Sequence, residues 1–302
     1  MECLPLEGAA RMSILSAEWR EYWRTIPALV FDDPRLLCRS LHSDDICNTL
    51  LQHNGPIVKF VLIIPYIHLT SAAPLILFIS TNDLKEFTVI KKMGDLLELP
   101  SYIFSCANLT KLTLGRCKFN LPRSFSGFQH LVSIDFENVA CLDLGSFVAK
   151  CPLLEKLSLR DIELGSNTFK LDFNMPKLKY LNMSGMLFDS INLDGCQGIL
   201  SISVSLQKFL NLDENNGTKE LIKFLERHSR VESLCFNKYF IKFLVKGGAL
   251  SRFPATFIHV KDLQLTSIDS YFELSFALGV IQRCPNVERL RLDFFVCFEY
   301  HA

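Results

Sequence analysis

The sequence predicts an α/β fold in which short strands stack in parallel and the chain returns from each to the next through loops and helices. Three observations predict it. The pattern Φ-x-x-Φ-x-Φ-x-x-Φ, with Φ apolar, recurs along the chain; its copies start 21 to 32 residues apart; and a cysteine marks one register in three of them. The central Φ-x-Φ is a short strand whose side chains alternate between two faces. One such unit cannot cover its own apolar row, whereas stacked neighbours bury a continuous core.

The elements follow in chain order. Ala9 to Trp23 places Ile14, Leu15, Trp19 and Trp23 at helix-face spacings, and Pro27 ends the stretch. A second helix holding Ile46, Leu50 and Leu51 stops at Asn54-Gly55-Pro56. Then come the repeats. Weaker copies start at Ile57 and Leu84, full copies at Leu109, Leu131, Leu154 and Leu178, a weaker one at Ile199, and full copies at Val231, Val260 and Val287. Most gaps match the ~20–29-residue period of leucine-rich repeats. The longest gap holds the polar loop Asn211 to Gly217, and Thr218 then caps a helix with Leu221, Ile222, Phe224 and Leu225 on one face. Ser270-x-x-Glu273 is a capping-box signature opening a return helix through Leu274, Phe276, Ala277, Leu278, Val280 and Ile281, before Pro285.

Cys106, Cys151 and Cys284 each stand three residues before a copy's first apolar position, which makes them small buried hydrophobes at a turn. The usual leucine-rich pattern ends in Asn or Cys, whose side chain satisfies the turn backbone. Here only Cys117 fits that place, the others being Val139, Ile162, Met186, Tyr239, Ile268 and Phe295, so these turns need other partners. The expected fold is an α/β leucine-rich-repeat solenoid. A curved parallel sheet forms its concave face, helices and irregular returns form the convex face, and a small helical segment precedes it.

Composition narrows the function. Lys plus Arg and Asp plus Glu each number 32 in 302 residues, which argues against counterion-driven nucleic-acid binding and against a polybasic membrane surface. Ile57 to Ser80 is interrupted by Lys59, Pro65, His68 and Pro74 and is too broken for a bilayer span. The 11 cysteines include no C-x-x-C pair. With no basic, apolar leader at Met1, they point to free thiols in a reducing compartment, the cytoplasm or nucleus. No phosphate-loop, dinucleotide, zinc-helix or nucleophile-elbow motif occurs, and the seven histidines lack metal-ligand spacing. Cys151 with His130 is the one conceivable thiol–base pair, and both lie in repeat context. The expectation is an interaction protein without catalysis, metal or cofactor.

Ala10-Arg11-Met12-Ser13-Ile14-Leu15-Ser16-Ala17-Glu18-Trp19-Arg20 and Trp23, then Pro27-Ala28-Leu29-Val30-Phe31-Asp32-Asp33, closely resemble the second half of an F-box in plant F-box/FBD/LRR proteins. Cys-Pro-x-Leu-x-x-Leu-x-Leu at Cys151, nearly repeated at Cys284, is also typical of that family's repeats. The resemblance implies a substrate receptor of an SCF-type ubiquitin ligase, with Ile14, Leu15 and Trp19 in the unit that docks a Skp-type adaptor. Only half the box matches, so adaptor docking is expected to be weakened. The implied organisation is a partial F-box at 1–33, a connecting helix or cap at 34–56 and the repeats at 57–302. The alternative is a free-standing repeat scaffold that binds protein partners without any ubiquitin-ligase role. Either way the partner-binding candidates are outward strand positions on the concave face: Lys111, Asp135, Glu137, Lys156, Arg160, Tyr180, Asn182, Arg289 and Arg291. Their mixed charge points to protein rather than nucleic acid.

Overall fold

Alternation of apolar and polar residues over four to seven positions dictates the strands, and the computed structural model forms one at every copy of the repeat. It describes residues 24–32, 50, 52–64, 73–163, 170–172, 174–185, 190–192, 195–206, 230–246, 257–269 and 271–294. Ile14, Leu15 and Trp19, the helix at Thr218 and most of the helix around Leu50 lie outside the described residues. The chain divides into two compact units, residues 1–153 with 162–165, and residues 154–161 with 166–302.

The first unit contains β1 (Ala28–Phe31), β2 (Lys59–Ile64), β3 (Glu86–Lys91), β4 (Leu97–Glu98), β5 (Lys111–Gly115), β6 (Cys117–Phe119), β7 (Ser133–Glu137) and β8 (Ala140–Cys141), with helices α1 (Ala73–Ser80) and α2 (Leu144–Ala149). Its main sheet runs β1-β2-β3-β5-β7, parallel throughout. A smaller parallel sheet, β4-β6-β8, is continued by a bridge from Ala140 to Glu163. The second unit contains β9 (Lys156–Arg160), β10 (Lys170–Asp172), β11 (Tyr180–Ser184), β12 (Ser190–Asn192), β13 (Ser201–Ser205), β14 (Ser233–Asn237), α3 (Lys238–Lys246), β15 (Asp262–Ile268), α4 (Tyr271–Gln282) and β16 (Arg289–Phe294). Its main sheet runs β9-β11-β13-β14-β15-β16, also parallel, and β10 pairs with β12.

The inward rows are dry. Leu112, Leu114, Ile134, Phe136, Leu157, Leu159, Leu181, Met183, Leu234, Phe236, Leu263 and Leu265 are all buried, as are Cys106, Cys151 and Cys284. Sequence does not announce what fills the first unit's core. Phe104, Phe119, Phe125, Phe128, Phe136 and Phe147 form a cluster with ring centroids 5.1 to 6.3 Å apart. Phe147 comes from α2, whose N-cap Asp143 accepts a hydrogen bond from the Ser146 amide.

The sheet also begins earlier than the repeat pattern predicts. Leu29 and Phe31 alternate inward, and the Pro27 carbonyl accepts from the amides of Val58 and Lys59. The same double acceptance recurs at Lys85, Thr110, Lys179, Leu200, Glu232 and Lys261, so β1 is held like the later strands at those junctions. A three-residue alternation after Pro27 was too short to stand out.

At three of these turns backbone carbonyls, rather than an Asn side chain, satisfy the amide that follows the strand. Arg116, Asn138, Asp161 and Gly185 each follow a strand with positive φ (51°, 56°, 51° and 69°). The amides of Arg116, Asp161 and Gly185 donate to the last carbonyls of the adjacent strands, at Glu137, Ser184 and Ser205, over 2.8 to 2.9 Å. A left-handed residue re-aims its N–H across the sheet, so no side-chain acceptor is required.

One expectation is corrected. The repeat pattern places Val287, Leu290 and Leu292 in the core, yet Leu290 is 46% exposed and Val287 and Leu292 are half-buried. Leu290 and Leu292 lie on β16 and Val287 just before it, and among the described residues no further strand covers that row. Glu273, in the first turn of α4, accepts from the amide of Asp269 at 2.9 Å; the capping-box Ser270 lies outside the described residues.

Candidate protein-binding face

In a parallel pair, in-register residues at outward positions become neighbours about 4.8 Å apart. Register therefore decides which candidates meet. In the second unit Lys156, Tyr180, Ser201, Ser233, Asp262 and Arg289 form one outward row. Ser158, Asn182, Ser203, Cys235, Gln264 and Arg291 form the next. Arg160, Ser184 and Ser205 begin a third. Lys156, Arg160, Tyr180, Asn182, Arg289 and Arg291 thus share one face of that unit's sheet.

Their contacts are specific. The Lys156 ammonium sits 5.2 Å from the Tyr180 ring centroid, a cation–π pair on a ring that is 44% exposed. The Ser158 hydroxyl accepts from Asn182 Nδ2 and from Arg160 Nη1, each at 3.2 Å. Arg289 donates to Asp262 Oδ2 at 3.1 and 3.3 Å in a forked pair, and Gln264 Nε2 donates to Asp262 Oδ1 at 3.4 Å. Between these two groups β13 and β14 carry only Ser201, Ser203, Ser233 and Cys235 in the first two rows. Burial raises the Cys235 thiol's pKa, and its hydrogen bond with Ser203 lowers it, burial prevailing.

Lys111, Asp135 and Glu137 lie on the outward face of the first unit, with Lys59 and Glu86, which pair at 3.1 Å. Sequence reading passed over that pair because the β2 and β3 copies are weak. It equally missed the Asp262–Arg289 fork, which a one-to-one register between the two copies reveals.

Behind the second unit's sheet, α3 and α4 pack together. Asn237 caps α3 by accepting from the Phe240 amide at 3.1 Å, and it also binds both backbone groups of Leu206. Lys242 joins Glu273, 1% exposed, at 2.8 Å and Asp269 at 3.3 Å, while Lys238 meets Asp269 at 2.9 Å. Their carboxylates hold both lysines above the usual ammonium range, and the lysines hold Asp269 below the usual carboxylate range.

Among the described thiols none has the setting of a nucleophile. Cys151 is buried, donates to the Phe147 carbonyl at 3.4 Å, and is pushed up to about 11 by burial, the reverse of an activated thiol, while His130 is exposed. Cys106 and Cys284 are likewise pushed up to about 11. Among the described residues no group of three or more His, Cys, Asp or Glu could hold a metal ion, and no helix is long and apolar enough to cross a membrane.

Parallel strands recurring at this period, each ending in a turn and joined by short returns, define a leucine-rich-repeat protein. The family model for the LRR repeats of the FBD-associated F-box protein At5g56370 matches residues 77–292. The F-box/FBD/LRR-repeat protein At1g13570 of Arabidopsis thaliana is 31% identical over 307 residues, covering 96% of this chain and 72% of the relative. The F-box/FBD/LRR-repeat protein At2g04230 of the same plant is 26% identical over 242 residues, covering 65% of this chain and 52% of the relative. The chain belongs to the plant F-box/FBD/LRR-repeat family. No solved structure matches it.

Proposed function

We propose that this chain holds a protein partner on the outward faces of its repeat sheets and acts as a substrate receptor of an SCF-type ubiquitin ligase. One observation carries the reading. The inward positions of β5, β7, β9, β11, β13, β14 and β15 are buried, whereas the outward positions of the same strands keep a mixture of charged, hydroxyl and aromatic side chains within reach of a ligand. Tyr180, half-exposed and braced by Lys156, is of the residue type that dominates protein interfaces. Family membership supports the ligase role, with Ile14, Leu15 and Trp19 as the proposed contacts to a Skp-type adaptor. Residues 1–33, 34–56 and 57–302 are the proposed F-box part, connection and repeat domain.

The test is capture of partner proteins by the full chain from a plant-cell extract, compared with Tyr180→Ala and Asn182→Ala variants shown to be folded. Loss of the same specific partner in both variants is expected; undiminished capture by both contradicts the reading. A pull-down of purified Skp-type adaptor, with Trp19→Ala alongside, tests the ligase connection separately.

A further inference from the structure

The outward face of the second unit is a trough with unlike walls. Its floor is β13 and β14, where Ser201, Ser203, Ser233 and Cys235 present nothing larger than a hydroxymethyl or thiol. One wall is Tyr180 with Lys156 stacked on it; the other is Asp262 and Gln264, backed by Arg289 and Arg291. From β11 to β15 is three strand spacings, about 14 Å, enough for one extended chain running with the strands and directing its side chains at the two walls. Serine hydroxyls donate and accept, so a hydroxyl floor suits the alternating N–H and C=O groups of such a chain.

Charge selects the occupant's sequence. Outward positions of this unit carry Lys156, Arg160, Arg289 and Arg291 against Asp262 and Asp293. Asp262 is already forked by Arg289. Lys156 offers its ammonium above the Tyr180 ring, and exposed Arg291 stands opposite, without a carboxylate partner among the described residues. The first unit's outward positions carry the reverse excess, Lys59 and Lys111 against Glu86, Asp135 and Glu137. We propose that the β11–β15 trough receives an extended, acidic peptide segment of the partner, its backbone over the serine floor and its carboxylates at Lys156 and Arg291. This rests on the partner-binding reading above and names the chemistry that the face selects.

The probe is a fluorescein-labelled, twelve-residue alternating Glu-Ala peptide, titrated with the full chain and followed by anisotropy. Its Lys-Ala counterpart and a twelve-nucleotide oligothymidylate are run in parallel. Saturable binding of the acidic peptide is expected, at least about tenfold tighter than the basic one and weakened by added salt. Lys156→Ala and Arg291→Ala each weaken it about fivefold, and Ser203→Trp, which fills the trough, abolishes it. Lys156 and Arg291 are exposed, so their variants keep the test decisive even where Ser203→Trp fails to fold. No binding of the acidic peptide, equal binding of the basic one, or preference for the oligonucleotide overturns the proposal. If the acidic peptide fails while folded Ser203→Trp still loses the natural partner, the face reading stands and only the acidic chemistry falls. If natural-partner capture survives Ser203→Trp, the face reading itself falls.

Discussion

Replacing Phe147 by alanine probes the structural account most sharply, because one side chain of a six-residue helix carries much of the first unit's core. Phe147 is fully buried, and its ring lies 5.7 to 6.3 Å from those of Phe104, Phe119, Phe125, Phe128 and Phe136. Truncating a buried phenylalanine costs about 3–5 kcal/mol through lost transfer energy and the cavity left behind. Each favourable ring pair contributes roughly 0.5–1.5 kcal/mol beyond area, though not additively. Two of the surrounding rings, Phe128 and Phe136, are themselves fully buried and have little room to collapse. The expected loss is therefore near the upper end, about 5 kcal/mol. Urea unfolding of Phe147→Ala against wild type measures it, with Leu142→Ala, a neighbour 75% exposed, as a control expected within about 0.5 kcal/mol. Amide exchange adds a local readout: α2 docks through Leu144, Phe147 and Val148, so its amides should lose protection first. A loss below about 2 kcal/mol for Phe147→Ala would refute the reasoning that this cluster is the unit's packing centre.

Four further outcomes rest on the same structure. Gly127 has φ 107°, and a Cβ there would fall onto the Lys150 carbonyl, so Gly127→Ala should cost more than about 2 kcal/mol by urea unfolding. Glu273→Ala strips Lys242 of its buried carboxylate and the Asp269 amide of its acceptor, and should cost up to about 3 kcal/mol. The pH profile of this cluster has a definite sign. The Asp269 contribution is complete above its ordinary value of 3.8 and lost as pH falls through its lower folded value, while those of Lys238 and Lys242 are complete below 10.5 and lost only as pH rises through their higher folded values. Acid and alkaline unfolding of wild type should flatten at both ends in a Lys242→Met, Asp269→Asn variant. Finally, with pKa about 11, Cys106, Cys151 and Cys284 should resist thiol reagents at pH 8 until denatured, and rapid native labelling of all three would contradict their burial.

The repeat framework was legible because a stacked unit writes itself as period and alternation: Leu131, Ile134 and Phe136 could be assigned inward from spacing alone, and all three are buried. The α4 return helix was legible from Glu273 and the apolar run after it, whereas the glutamate's contact with the Asp269 amide depends on how the chain enters the helix. What sequence concealed was mostly non-periodic. Phe104 comes from a short 3-10 helix, Ser101–Ser105, and Phe125 and Phe128 from irregular returns, where no spacing rule says that they will converge on Phe147. Strand β1 is four residues long, and its membership is settled by Pro27 accepting from the next repeat rather than by any pattern of its own. At the candidate face, the outward residues were readable from alternation, but the trough is a property of register. Ser201 beside Ser233, and Asp262 beside Arg289, become neighbours only once the strands are aligned.

The central claim is that partners dock on the outward face of the repeat sheet, and position-specific photocrosslinking tests it most directly. A benzophenone side chain is placed in the full chain at Tyr180, which is 44% exposed on that face, and separately at Tyr271, which is 81% exposed at the start of α4. Each is irradiated with the captured partner. The account predicts a crosslinked partner band from position 180 and none from position 271. Crosslinking from 271 alone, despite equal capture, would contradict it.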